Sequence, residues 1–211
     1  PEPVPTPEGP KGLELVEQAT IQIIAEGTFA VGPDVVVQNF AGAGSGFIIS
    51  EDGLAVTANH VVTGAAALNV HVPGKEGTVN ARVVGASECA DLAVIDLAGE
   101  GYIPLQFAEV QPSVGTPIFV AGYPLGDPEY TLVAGIIAKA KAAGDSSWAS
   151  VDHSLQHDAL AVPGNSGGPV VTQDGLVIGI HYAGIAAFNQ GFAIALDEVE
   201  PILDQLRQGE N

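Results

Sequence analysis

Pro163-Gly164-Asn165-Ser166-Gly167-Gly168-Pro169 sets one hydroxyl in a loop of small residues bracketed by two prolines. Three glycines beside a serine suit a backbone that turns sharply and lets another molecule approach closely. Such a loop would aim the N–H groups of Gly164 and Ser166, on either side of Asn165, at one point where they could hold an oxyanion. The plain alternative is a tight turn between two strands. The two readings separate on whether a base and an orienting carboxylate exist elsewhere in the chain.

Both exist. His60 lies in Val56-Thr57-Ala58-Asn59-His60-Val61-Val62, after Gly44-Ser45-Gly46-Phe47-Ile48-Ile49-Ser50, which reads as a strand, and the turn Glu51-Asp52-Gly53. Asp91 opens Asp91-Leu92-Ala93-Val94-Ile95-Asp96-Leu97, an apolar run that reads as a buried strand. The order His, Asp, Ser is that of the chymotrypsin architecture, not of the subtilisin or α/β-hydrolase versions of the same constellation. Here the sequence resembles the trypsin-like serine peptidases, and within them the HtrA/Deg branch. The blocks around Ser45, His60, Asp91 and Ser166 match that branch in order and at similar spacing, over roughly residues 13 to 207.

A serine hydroxyl is a weak nucleophile until a base takes its proton. His60 would do so and then protonate the leaving amine, while Asp91 would hold the ring in the right tautomer. Of the other histidines, His71 falls late in an alternating strand, and His181 flanks the strand expected to meet substrate. His153 and His157 would need further ligands to hold a metal, with Asp158 the only obvious one; neither metal nor cofactor is expected. Gly164-Asn165-Ser166-Gly167-Gly168 also fits the G-x-S-x-G elbow of α/β-hydrolases. That elbow needs a helix after the serine, whereas Pro169 to Gly175 reads as strand and turn.

Asn165 stands where digestive trypsin-like enzymes carry an Asp that pairs with a freed N-terminus. Asn cannot form that ion pair, so the resemblance implies control of the oxyanion site by loop rearrangement, as in the HtrA/Deg branch. That branch usually carries PDZ domains after the final helix. None follows before Asn211, so either the protein lacks them or they have been removed. Members are often trimers built through N-terminal aromatic contacts. Phe29 and Phe40 are the candidates for a homotrimer here, although core packing explains both equally well.

With 211 residues, 27 Gly, 15 Pro and 46% apolar residues, the composition suits many short strands joined by tight turns. The net charge of −19, with six Lys plus Arg, leaves no basic groove for nucleic acid. No apolar run reaches the ~18 residues of a membrane span. Cys89 is the single cysteine, so no intrachain disulfide can form and the compartment is left open. No methionine occurs, even at position 1, so the chain is read as a processed form from which any signal or anchor is already missing. An extracytoplasmic location, periplasmic or secreted, follows from the resemblance.

Along the chain, Pro1 to Pro10 reads as an extended tether and Gly12 to Gln18 as a short helix, giving a leader over residues 1–18. Strands are expected at Ala19–Val31, Val35–Phe40, Ser45–Ser50, Leu54–Thr57, Ala67–Val72, Val79–Gly85 and Leu92–Leu97, with turns at Gly32-Pro33-Asp34 and Ala41 to Gly44. Ala98 to Gly115 reads as a connection between halves. A second series follows at Thr116–Ala121, Tyr130–Ala143, Trp148–Gln156, Pro169–Thr172, Gly175–Tyr182 and Gly191–Ala195. A helix over Asp197 to Arg207 closes the chain, with Asp197 as N-cap. The expected fold is all-β: two antiparallel six-stranded barrels, over residues 19–108 and 109–211, with a C-terminal helix.

The resemblance also locates a pocket for the residue before the scissile bond. Its base would be Leu160, six residues before Ser166, followed by Ala161 and Val162. The opposite wall would be Ile180 to Gly184, with Tyr182, Ala183 and Gly184 offering backbone groups to an extended substrate. None of these is acidic, so a buried substrate cation would lack a partner. The implied activity is endopeptidase cleavage of exposed or unfolded polypeptides after small to medium apolar residues; the competing reading is a catalytically silent fold that binds peptides or partners.

Overall fold

The computed structural model describes residues 10–32, 35–143, 146 and 149–209. The tether over 1–9, the turn at Pro33 and Asp34, Trp148, and the side chains of Phe29 and Phe40 lie outside the described set. A short helix α1 (Leu13–Ala19) leads into β1 (Thr20–Gly32), β2 (Val35–Ile48), β3 (Leu54–Ala58), a one-turn helix α2 (Asn59–Val62), β4 (Ala65–His71), β5 (Val79–Ser87) and β6 (Leu92–Leu97). The second half holds β7 (Pro117–Gly122), β8 (Thr131–Ala142), β9 (Ser154–His157), β10 (Pro169–Val171), β11 (Val177–Ile185), β12 (Gln190–Ala195) and helix α3 (Leu196–Arg207). The strands close into two antiparallel six-stranded barrels, ordered β1-β2-β3-β6-β5-β4 and β10-β11-β12-β9-β8-β7.

Three elements differ from the sequence expectation. Val35 to Ile48 is one strand, and the turn expected at Ala41 to Gly44 is ladder: Ala25, Ile24 and Ile23 pair with Gly42, Ala43 and Gly44. Gly44 makes room rather than a turn, since a Cβ on it would lie 2.6 Å from both methyls of Val61. Of the strand expected over Trp148–Gln156, the described residues are strand only from Ser154, and that strand runs to His157. Helix α3 starts at Leu196 with Ala195 at the cap, and the Asp197 carboxylate bonds the His153 ring at 2.7 Å instead of capping.

Continuous apolar runs mark the strands between the barrels. In β6, Ala93, Ile95 and Leu97 fill the first barrel, while Leu92 and Val94 join the core shared with the second. In β2 and β3, Ile48 and Ala55 face inward while Phe47 and Val56 face the partner barrel. Both faces are therefore buried, and alternation is lost where the barrels meet. β3 pairs with β6 through Ala58 and Leu92. This brings the residues just after β3 and just before β6 to one end of the inter-barrel face. The connection from Ala98 to Thr116 crosses between barrels, bonding Leu105 to Ile48 and Ala108 to Val177, and α3 packs back on β5 and β6.

Candidate active site

Asp91 builds its own partner's helix. It sits at φ 50°, a conformation that Asp tolerates better than most side chains. Its carbonyl accepts the Asn59 N–H at 3.0 Å, and its Oδ1 accepts the His60 N–H at 2.8 Å. Two of the orphan donors that begin α2 are thus satisfied by one residue. The remaining oxygen, Oδ2, lies 2.7 Å from His60 Nδ1. Asp91 is 1% exposed, so its acceptor is fixed and dry. A proton on Nδ1 leaves Nε2 of His60 as the basic nitrogen.

Ser166 comes from the second barrel and lines the same cleft of about 740 Å³ as His60. Its loop is tied to the first barrel by Ser45, a residue that sequence reading placed only in a strand. The Ser45 N–H donates to the Ser166 carbonyl at 2.8 Å, and its Oγ donates to the Gly164 carbonyl at 2.7 Å. The same Oγ accepts the Tyr123 N–H at 2.8 Å. Gly167 (φ 83°) lies against Ser45, Thr57 and Ala58, where no side chain would fit. It donates to the His181 carbonyl at 2.7 Å, and the His181 N–H donates to the Gly168 carbonyl at 2.9 Å. The Asn165 N–H is committed to the Val162 carbonyl at 3.1 Å. Among the described residues, the N–H groups of Gly164 and Ser166 donate to no acceptor.

Ala161, Val162, Tyr182, Ala183 and Gly184 line the cleft with Ser166. Leu160 and Ile180 do not. Leu160 is the apex of a three-residue turn in which the Ala161 N–H bonds the Ala159 carbonyl at 2.8 Å, so it points outward and is 57% exposed. Ile180 is fully buried between β10 and β12, paired with Pro169 and Ile194. Asp158 is turned away, its Oδ1 accepting the Ile136 N–H at 2.7 Å. His153 is held by Asp197 and by the Ala140 carbonyl at 2.6 Å. His157, fully buried, meets His181 instead, at 3.2 Å from Nε2 to Nδ1. Burial pushes these two rings down to about 4 and about 3, His157 and His181 respectively.

Two closed antiparallel barrels meeting at a cleft, with His60 and Asp91 on one and Ser166 on the other, define the chymotrypsin-like class of fold. Residues 44–180 match the family model described as "Trypsin-like peptidase domain", and the chain belongs to that family. Its relatives are HtrA/Deg proteins. It is 33% identical to Protease Do-like 1, chloroplastic, of Arabidopsis thaliana across 93% of this chain and 49% of that protein. To Serine protease Do-like HtrB of Bacillus subtilis it is 35% identical, across 92% and 45%. A probable periplasmic serine endoprotease, DegP-like, of Hahella chejuensis is 34% identical across 81% and 36%. The chain spans about half the length, or less, of these curated relatives. Among solved structures, the inactive form of Rv3671c from M. tuberculosis H37Rv shares the fold at a TM-score of 0.73, covering 90% of this chain and 87% of that one at 23% identity.

Proposed function

We propose that this chain is a serine endopeptidase domain that hydrolyses peptide bonds in exposed or unfolded polypeptide segments. The observation that carries the reading is the 2.7 Å bond between His60 and the buried Asp91, with Ser166 across the same cleft. In this reading Ser166 attacks the scissile carbonyl as His60 Nε2 takes its proton. Asp91 holds the ring and stabilises its cationic form. The free N–H groups of Gly164 and Ser166 receive the oxyanion, and Asn165 shapes the turn between them. Substrate lies extended along Tyr182 to Gly184.

With Leu160 turned outward, the pocket walls are Ala161, Val162, Ala183 and Phe192. They support a preference for small to medium apolar side chains and offer a cation no carboxylate. By analogy with the branch, the domain works outside the cytoplasm, and a homotrimer would form through the N-terminal strands that carry Phe29 and Phe40. Wild-type protein should react with a fluorophosphonate probe at Ser166. Ser166→Ala should fold normally and lose on the order of 10⁴-fold or more in casein hydrolysis. Casein turnover by Ser166→Ala near the wild-type level would refute the assignment.

A further inference from the structure

His153 takes no part in the chemistry proposed above, yet both of its ring nitrogens are engaged. Nδ1 lies 2.7 Å from Asp197 Oδ2, and Nε2 lies 2.6 Å from the Ala140 carbonyl oxygen. An ionised carboxylate and a carbonyl can only accept, so each bond needs a proton on the ring nitrogen. A neutral imidazole carries one such proton and would set a lone pair against the other oxygen. The geometry therefore requires the imidazolium. At 11% exposure, the side chain leaves water little room to take over either bond.

Register and position make this ring a clamp. Lys139 pairs with Gln156 and Ala142 with Ser154, so β8 advances three residues against two of β9. Such a bulge disrupts the ladder and re-aims its backbone groups, and the Ala140 carbonyl that meets His153 lies within it. Asp197 belongs to the first turn of α3, and its other oxygen accepts the Gln111 amide at 3.3 Å. One ring thus joins β8, α3 and, through Asp197, the connection between the barrels. Directly after β8, Ala143 lines the cleft, as does Ser146, together with His60 and Ser166. Ahead of His153, the Ser150 N–H donates to the Cys89 carbonyl at 2.8 Å, two residues before Asp91.

Among the described residues, the charges that act on the ring are Asp197 from α3 and Lys141 from β8. Gln111 is neutral, and the neighbouring Asp152 is exposed. β12 contributes the Ala195 N–H, 3.4 Å from the His153 carbonyl. Burial alone would lower the ring, but the Ala140 carbonyl and Asp197 outweigh burial and Lys141, so it keeps its second proton above the ordinary 6.5.

We propose that His153 is a positioning residue for the cleft: as an imidazolium it draws the end of β8 onto α3 and holds Ala143 and Ser146 in place for substrate, and loss of one proton weakens substrate binding. The proposal rests on the peptidase reading above. The carboxylate is the stronger acceptor, so the remaining proton stays with Asp197 and the Ala140 bond is the one that breaks. The end of β8 is then released beside Ala143, while His60 keeps its bonds to Asp91. The chemical step is left as it was.

The test follows kcat and KM from about pH 5.5 to about pH 9.5. The substrate is an internally quenched peptide with no ionisable side chain, spanning a cut mapped in unfolded casein. KM does not depend on how much enzyme stays folded, and fluorophosphonate titration corrects kcat. KM should rise roughly 2- to 10-fold on the alkaline side, the reach of one hydrogen bond, while kcat stays level. Its midpoint should coincide with that of the His153 ring, read by nitrogen NMR of the wild type as the signal absent from His153→Asn. Both ring nitrogens should carry protons at about pH 6. Asp197→Asn, at a half-exposed position, keeps an acceptor but removes the charge, and should move both midpoints to lower pH. His153→Asn should show the raised KM throughout and no alkaline limb. A KM that stays level while the ring titrates, or an alkaline limb that survives in His153→Asn, would overturn this inference alone. So would a wild-type ring that carries a single proton at about pH 6. No labelling and no cleavage would overturn the peptidase reading with it.

Discussion

Ser45→Ala should be among the most damaging small changes in the chain, although Ser45 touches no substrate. The substitution removes one oxygen that serves two backbone groups from different parts of the second barrel. The Tyr123 N–H loses its acceptor in a fully buried setting, at about 1–3 kcal/mol. The Gly164 carbonyl loses its donor but is only part-buried, so water can replace it and the cost falls to about 1 kcal/mol. The sum is about 2–4 kcal/mol, which for a domain of this size lowers Tm by roughly 4–16 °C. The Ser45 N–H bond to Ser166 survives, so the nucleophile loop should loosen rather than detach. Urea unfolding followed by tryptophan fluorescence measures the loss, and fluorophosphonate labelling under folded conditions should slow. Thr63→Ala is the control: its hydroxyl bonds the Asn59 carbonyl on the exposed surface, and removing it should cost no more than about 0.5 kcal/mol. A Ser45→Ala protein within about 0.5 kcal/mol of wild type, at unchanged m, would show that the inter-barrel bridge does not hold the loop.

Gly167→Ala should cost about 3 kcal/mol or more, against about 1–2 for Gly74→Ala. Both glycines have similar positive φ, 83° and 78°, but a Cβ at 167 meets the Ala58 nitrogen at 2.7 Å and at 74 meets nothing within 4 Å. Equal losses in the two variants would show that backbone conformation alone sets the cost. Stability should also depend on pH in two opposite ways. His157 and His181 titrate lower in the fold than the ordinary 6.5, so their contribution is complete above about pH 6.5 and drains away as pH falls toward about 4. His153 is raised: burial lowers it, but the Ala140 carbonyl and Asp197 together outweigh that. Its contribution is complete below about pH 6.5 and is lost as pH rises through its folded value. Urea midpoints across pH 4.5–9 should fall on the acid side for wild type and fall less for His157→Gln. His153→Asn should flatten the alkaline side, and an unchanged alkaline slope would remove His153 from the account.

The two-barrel fold was legible because its strands are short, apolar and punctuated at regular intervals. The boundaries that moved did so for non-local reasons. Gly42, Ala43 and Gly44 carry turn composition, yet all three pair with β1, and Gly44 is bare so that Val61 can pack. Asp197 has the ideal side chain for a helix cap, yet its carboxylate reaches His153, forty-four positions earlier. Propensity sets what a residue can do locally. A partner arriving from another strand decides which of those options is used.

The same division runs through the site. His60, Asp91 and Ser166 could be picked out because their chemistry needs three residue types in one order, each in a distinctive block. The residues that hold them could not. Ser45 reaches Gly164 across 119 positions, and His157 reaches His181 across 24, each contact created by barrel closure rather than by spacing. Leu160 shows the converse: counting back from the serine puts it at the pocket base, but a three-residue turn at Ala159–Ala161 swings it outward. With that side chain gone from the base, the pocket's character passes to groups that converge there only in three dimensions. Those groups are the side chains of Ala161, Val162, Ala183 and Phe192, which the serine loop and strands β11 and β12 bring to one cleft.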